Sequence, residues 1–441
     1  MARANKRGSR KLIYSTGQSN AIGTFSTLPL WFPQVIASLK DGSPVVPNGN
    51  QDQSVDPSTQ LRFWNHQAFR DMFVVEGGAV ANSTWLTTDV GDTDGSIHGH
   101  ELGPGVMAVL KSWEWELDVD QHRWVAAAGG VGGELLADLG PGNVRYDEMQ
   151  ADVVALHGSL QEVEQSQIEA VALCMTHGSA DAASGTTLAT YRAGIEQLRQ
   201  DWRDDMNAIT GRADEPILTV DMHSFELGAD TLLENQQRKA IHDALRNITD
   251  VSPNIYNCGA RPTCGMGTAD GIHYSSWADY QTLAEQHAKV IRRVTVDGDT
   301  AWKPLQFASI TAEAGNIVRV TLEGGSGPAV LDPRPQRKAG FHDGEMLGFV
   351  YNDDGDARIR AVDVQASHID IHLDGPPSTN PTLSHGFASE YLLGLTGLFP
   401  SSTWGIGNIY VRDSESQYKS FVHPNDGIWS WLCPFILEPV V

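Results

Sequence analysis

Short apolar runs alternate with helical patterns between about Val106 and Ile291, and an apolar run at Leu12 to Tyr14 precedes them. Ile168 to Met175 is typical of a buried strand, and the helical patterns repeat their apolar residues at spacings of three and four. This alternation indicates a mostly parallel sheet with helices on both faces, in which sites gather at the carboxyl ends of the strands. The other expected strands are Leu12 to Tyr14, Trp124 to Ala128, Pro216 to Met222 and Asn254 to Asn257, and expected helices include those around Val106 to Trp113, Met149 to Val163, Tyr191 to Trp202 and Trp277 to Ile291.

A different pattern begins near Pro304, where apolar and polar residues alternate with period two, as in Ile369 to Leu373. Such half-exposed strands, punctuated by Gly-rich turns, predict an all-β, sandwich-like module. We therefore expect two domains, 1–298 and 299–441, with a long irregular insertion at about 24–105 in the first.

The overall composition is that of an ordinary globular protein. The 441 residues, 41% of them hydrophobic, are enough for a sizeable core in each of two domains. The formal charge of −24 argues against a nucleic acid or an anionic membrane as the main partner. No segment approaches the ~20 apolar residues of a membrane span, and no secretory signal follows the N-terminal charges. We therefore expect a cytoplasmic or virion-associated protein.

Four cysteines are too few for a disulfide framework in a chain of this length. Cys258 and Cys264 are close enough in sequence to pair across a Gly-rich loop. Free thiols are the simpler expectation for both.

The first candidate catalytic residue lies in the stretch Tyr14 to Asn20. Gly17 breaks the apolar run where a chain leaving a sheet must turn, and Ser19 lies on that turn. If a helix begins there, its free backbone N–H groups would favour an alkoxide or a nearby oxyanion. On this stretch alone, the better interpretation is that Ser19 and Asn20 are helix caps.

A second short stretch, Asp270-Gly271-Ile272-His273, favours the catalytic interpretation of Ser19 over the helix-cap interpretation. A carboxylate three residues before an imidazole can fold back onto it, which fixes the tautomer and leaves the other ring nitrogen to a hydroxyl. Ser19, Asp270 and His273 would then form a nucleophilic triad. Taken alone, a turn followed by a helix-capping histidine explains this stretch equally well.

Together, Gly17 to Asn20 and Asp270 to His273 resemble the first and last motif blocks of the SGNH (GDSL-like) hydrolases. The Gly-Gln-Ser-Asn form is most similar to carbohydrate O-acetylesterases of the sialate O-acetylesterase type, some of which are phage-borne. The resemblance implies a flavodoxin-like, three-layer α/β/α fold. It also implies that Ser19 is the nucleophile, His273 the base and Asp270 its partner, with no metal or cofactor.

The Gly-rich stretch 129–133 follows the expected strand that ends at Ala128. It matches neither a Rossmann fingerprint nor a Walker loop. Glycines expose backbone N–H groups, which an oxyanion hole requires. The resemblance implies that Gly132 or Gly133 donates such an N–H beside that of Ser19, and the sequence leaves the choice between the two glycines open.

The third motif block departs from the family. The broad pattern is Gly-x-Asn-Asp, and the sialate esterase type has Gln-Gly-Glu-Ser-Asp where this chain has His177 to Asp181. Ala180 replaces the asparagine, so a third oxyanion donor must come from His177 or be absent. A strand-end histidine in a satisfied hydrogen bond explains His177 equally well.

The acidic residues and histidines between 92 and 101 resemble a metal-binding loop in composition. They fail the EF-hand template, because position 12 counted from Asp92 is Gly103 rather than glutamate. We therefore expect ordinary loop residues and no metal site.

The candidate triad predicts a serine hydrolase, and the resemblance implies an esterase that removes O-acetyl groups from a carbohydrate. An acetylated carbohydrate is the expected partner, and a homo-oligomer or a virion component is compatible with the sequence. An α/β-hydrolase is disfavoured, because its nucleophile elbow needs glycine where this chain has Ala21. The remaining alternatives are an SGNH lipase or thioesterase, and a catalytically weak carbohydrate-binding virion protein, which Ala180 and His177 motivate.

Overall fold

The computed structural model describes residues 9–17, 74–76, 102–116, 123–128, most of 133–161, 167–222, 231–260, 277–336, most of 346–386, most of 409–420 and 428–441. The chain divides into two compact units. The first comprises Met1–Thr176, Ile195–Thr219 and Ser276–Thr295, and the second comprises His177–Gly194, Val220–Ser275 and Val296–Val441.

Strands and helices alternate in the first part of the chain, and strands follow one another in the second. The strands are β1 Arg10–Gly17, β2 Val74–Glu76, β3 Arg123–Ala128, β4 Ile168–Thr176, β5 Ile217–Met222, β6 Ile255–Ala260, β7 Gln306–Glu313, β8 Ile317–Glu323, β9 Ala329–Gln336, β10 Phe349–Asn352, β11 Ile359–Val364, β12 His368–Leu373, β13 Thr382–His385, β14 Ile409–Asp413 and β15 Phe435–Pro439. The α-helices with described bounds are α1 Leu102–Glu116, α2 Ser179–Ser184, α3 Leu188–Thr210, α4 Leu232–Leu245, α5 Ile248–Val251 and α6 Trp277–Ile291. Described residues between 144 and 161 are also mostly helical, where the sequence predicts a helix around Met149 to Val163.

The largest sheet has six strands in the order β2-β3-β1-β4-β5-β6. The pairs β2–β3, β3–β1 and β1–β4 are parallel. Tyr14 in β1 lies beside Ala127 of β3 and Leu173 of β4. The α/β class and the parallel sheet expected from the alternating pattern are therefore confirmed.

Aromatic packing anchors β1, the strand that leads toward the candidate nucleophile. The Tyr14 ring stacks on Trp202 of α3, with 6.1 Å between ring centroids and an interplanar angle of 16°. Ile195, Leu198 and Trp202 lie on one buried face of α3, as their spacing predicts. Stacked aromatic pairs contribute about 0.5–1.5 kcal/mol beyond the area they bury, so this contact helps to hold β1 in place.

Three antiparallel sheets follow residue 304, in the orders β11-β12-β8-β7, β10-β13-β15 and β14-β9. Val318 and Val320 of β8 and Ile369 and Ile371 of β12 are fully buried, which confirms the period of two. On the opposite face, Arg319 forms a bidentate pair with Asp370 across the strands, at 2.7 and 2.8 Å. Every regular element described after residue 304 is a strand, as expected for an all-β region.

The last strand is tied to helix α4. Glu438 of β15 pairs with Lys239 of α4 and lies 3.7 Å from Arg246, which follows the helix. The Arg246 guanidinium also lies 4.2 Å from the centroid of the Phe307 ring. The Nδ1 atom of His242 lies 3.2 Å from the Pro434 carbonyl oxygen. Within the second unit, residues before and after 298 therefore form one packed body.

A fully buried histidine of this unit makes its stability depend on pH. His385 of β13 lies against Phe349, with 4.3 Å between ring centroids, and burial lowers the pKa of its imidazole to about 3. The folded protein leaves this ring neutral below pH 6.5, where an unfolded chain protonates it. Unfolding is therefore favoured as the pH falls, by about 1.4 kcal/mol per pH unit from this group alone.

We expect His385→Phe to remove that contribution. The free energy of unfolding, measured by denaturant titration from pH 7 to pH 4, should fall less steeply for the variant than for the wild type. Leu383→Ile, which changes a buried β13 side chain without a titratable group, is the control and should keep the wild-type slope. Parallel curves for the wild type and His385→Phe would show that His385 is not the group responsible.

Candidate active site

The carboxyl ends of β1, β3 and β4 meet at one edge of the parallel sheet. Ser15 lies beside Ala128, the last residue of β3, and Gly17 lies beside Thr176, the last residue of β4. The segments that carry the first, second and third motif blocks begin directly after these strand ends. The structure thus confirms the strand arrangement on which the predicted site depends.

Gly17 allows an unusually close approach of β1 to β4. Its φ angle is +131°, and a Cβ atom built on it would lie 2.1 Å from the carbonyl oxygen of Thr176. The neighbouring atom is backbone, so it cannot move aside as a flexible side chain would. Only glycine satisfies both conditions at this position, two residues before Ser19.

The three proposed triad residues, Ser19, Asp270 and His273, lie outside the described residues, as does Gly132. The nearest described residues are Gly17, two residues before Ser19, and Trp277 at the start of α6, after His273. Their mutual geometry therefore stays a prediction.

Gly133 is the described member of the predicted oxyanion loop. It is exposed, its φ angle is +76°, and a Cβ atom there would meet nothing within 4 Å. An exposed, left-handed glycine leaves its backbone accessible. That environment suits a backbone N–H donor to an oxyanion. Gly132, the other candidate donor, lies outside the described residues, so the two glycines cannot be compared.

His177 is fully buried directly after β4. Its Nδ1 atom lies 3.1 Å from the hydroxyl of Tyr191 on α3, and the two rings lie nearly parallel, at 18°. Its Nε2 atom lies 3.7 Å from Oδ2 of Asp181, four residues further along. The structure therefore places both ring nitrogens beside polar groups of the second unit.

A hydrogen bond from Thr186 orients the Asp181 carboxylate. Thr186 donates this hydrogen bond to Oδ1 of Asp181 at 2.8 Å, while Oδ2 faces His177. Short helix α2, which contains Asp181, begins after Gly178 and ends at the left-handed Gly185. Ala180 lies on the same helix and supplies no side-chain donor, as the sequence indicated.

Burial raises the pKa of Tyr191 well above its ordinary value, and the negative charges of Asp181 and Asp221 raise it further. The phenol therefore keeps its proton at any physiological pH. The sequence pattern marks Tyr191 only as an apolar position of helix α3 and does not assign it to the site. The spacing of four between His177 and Asp181 was the one available sign that these two side chains meet.

Some expectations fall on residues without described geometry. Cys174, Cys258 and Cys433 are buried free thiols, as expected, whereas Cys264 lies outside the described residues. Among the residues with described positions, no group of three or more His, Cys, Asp or Glu side chains is placed to hold a metal ion. In the same part of the chain, no helix is long and apolar enough to cross a membrane.

Neither a family model nor a curated protein matches the sequence. Among solved structures, a carbohydrate acetylesterase from Xanthomonas citri has a similar fold, with 12% identity, a TM-score of 0.50, and coverage of 97% of this chain and 80% of that chain. A carbohydrate acetylesterase from Sinorhizobium meliloti matches 65% of this chain and 100% of its own, with 10% identity and a TM-score of 0.33. At such identities the similarity to the Xanthomonas enzyme concerns the fold.

Proposed function

We propose that this protein is a serine esterase that removes O-acetyl groups from a carbohydrate. Ser19 attacks the ester carbonyl while His273 accepts the hydroxyl proton, and Asp270 holds the imidazole in the productive tautomer. His273 then returns the proton to the departing sugar hydroxyl, leaving an acetyl-enzyme. Water, deprotonated by the same histidine, releases acetate and regenerates Ser19.

The observation that carries the proposal is that β1, β3 and β4, the strands that lead into the three motif blocks, end side by side. Gly17 and Thr176 lie side by side, and Ala128 ends the adjoining strand beside Ser15, two residues earlier in β1. The positive φ and close approach of Gly17 explain why the Gly-Gln-Ser-Asn block begins with glycine. The fold shared with a carbohydrate acetylesterase gives further support.

The tetrahedral oxyanion is held by the backbone N–H groups of Ser19 and of Gly132 or Gly133, with the imidazole of His177 as a third donor. Preorganised donors of this kind act where negative charge develops, and losing one typically reduces the rate by about 10²-fold or more. The proposal needs no metal or cofactor.

The proposal extends to the finer fold and setting. We assign 1–298 to a three-layer SGNH domain of the sialate O-acetylesterase type, and 299–441 to a sandwich-like accessory domain. An acetylated polysaccharide or a sialic-acid-like glycan is the proposed partner, and a virion is one setting in which such an esterase acts.

Acetate release from acetylated glycans tests the proposal. We expect hydrolysis of acetylated xylan or O-acetylated sialic acid, and kcat/KM for an acetyl ester at least about 10-fold above that for an octanoyl ester, because a pocket built for acetyl excludes longer chains. A preference for octanoyl would instead identify a lipase or thioesterase. Glycan binding without any acetate release would identify a binding protein.

A further inference from the structure

The Tyr191 hydroxyl and the His177 ring form a buried pair whose geometry is set by the fold. The Oη atom of Tyr191 lies 3.1 Å from Nδ1 of His177, and both residues have no exposed surface. Ring stacking, with 5.9 Å between centroids, fixes their relative orientation. Tyr191 belongs to the first turns of the 23-residue helix α3, which gives it a rigid support.

The direction of this hydrogen bond follows from the groups on either side. Tyr191 keeps its proton, because burial and the charges of Asp181 and Asp221 raise its pKa. On the other side of the imidazole, Nε2 faces the Asp181 carboxylate at 3.7 Å. At that distance the carboxylate attracts a protonated Nε2 and repels a lone pair there, but it is too far away to accept a hydrogen bond from Nε2. Both neighbours therefore favour a proton on Nε2 and a lone pair on Nδ1.

We propose that Tyr191 is a positioning residue that fixes His177 as the neutral tautomer with its proton on Nε2. This inference rests on the proposed function, in which His177 donates to the oxyanion. The tyrosine hydroxyl donates to Nδ1, so the only ring N–H is on Nε2. In the other tautomer Nε2 would present a lone pair, which repels an oxyanion.

Imidazole nitrogen shifts test the tautomer directly. In protein with ¹⁵N-labelled histidine, the His177 signals are those missing from His177→Gln. We expect a protonated Nε2 and an unprotonated Nδ1 in the wild type, and a mixture of tautomers in Tyr191→Phe. Protons on both nitrogens, or on Nδ1 alone, in the wild type would overturn the proposal without reference to any variant.

Kinetics test the consequence. Tyr191→Phe keeps the stacked ring and removes only the hydroxyl, so we expect kcat to fall about 10-fold, with KM changed less than about twofold. Tyr256→Phe removes another buried hydroxyl, which donates to the Thr300 carbonyl at 3.3 Å, and should leave kcat unchanged.

A double variant separates positioning from general destabilisation. In a His177→Gln background, Tyr191→Phe should reduce kcat no further, because there is no tautomer left to fix. An undiminished loss in that background would overturn the proposal. If the wild type hydrolyses no acetyl ester, the proposed function fails, and the nitrogen shifts still decide whether Tyr191 fixes the tautomer.

Discussion

Ser19→Ala should reduce hydrolysis of an acetyl ester by roughly four orders of magnitude, because the variant has no hydroxyl to form the acetyl-enzyme. The residual rate would come from the oxyanion donors and from binding alone. We expect the loss in kcat, measured with a soluble acetyl ester, to leave KM nearly unchanged. Glycan binding should persist, because the hydroxyl is needed to form the acetyl-enzyme and not to bind the substrate.

The control for this variant is Ser367→Ala, which removes an exposed hydroxyl between β11 and β12. Both variants should give the circular dichroism spectrum and thermal unfolding curve of the wild type. Turnover by Ser19→Ala at the wild-type rate would exclude Ser19 as the nucleophile.

Gly17→Ala should both destabilise the protein and disable it. The added methyl group would lie 2.1 Å from the Thr176 carbonyl oxygen, at a φ of +131° that an L-residue rarely adopts. Backbone strain and overpacking each cost about 1–3 kcal/mol, so we expect the free energy of unfolding to fall by about 2 to 6 kcal/mol. Relief of the clash must separate β1 from β4, and this should displace the Ser19 turn and lower kcat at least about 10-fold.

Gly142→Ala separates these two effects. Gly142 also has a positive φ, +87°, but a Cβ atom there would meet nothing within 4 Å. The Gly142→Ala variant should therefore lose only the free energy that the backbone strain costs, and it should keep the wild-type kcat. Equal losses of stability and activity in the two variants would show that the close approach of β1 and β4 does not matter.

The sequence predicts the parallel sheet well because its strands are buried and carry their signal locally. Every residue from Ile168 to Met175 except Glu169 is buried, and this apolar run is evident from the sequence without any tertiary information. Helix α6 begins at Trp277 and ends at Ile291, the bounds that its apolar pattern predicts. Elements with strong local periodicity are those in which packing and sequence pattern agree.

Contacts between distant residues could not be predicted in the same way. Lys239 and Glu438 are 199 residues apart, and nothing near either one indicates the other. The pairing of His177 with Tyr191 spans only 14 residues, but it depends on how the first turns of helix α3 pack against His177. The local sequence around a strand-end histidine looks the same whether the partner of the imidazole is a substrate, a carboxylate or a phenol.

The most direct test of the central claim is covalent labelling with a fluorophosphonate, followed by peptide mass spectrometry. Attack by an activated serine on phosphorus expels fluoride and leaves a stable phosphonyl ester. We predict one label per chain on the peptide that contains Ser19, its absence in Ser19→Ala, and loss of acetyl-ester hydrolysis in step with labelling. Hydrolysis that persists in fully labelled protein, or a label on another serine, would contradict the account.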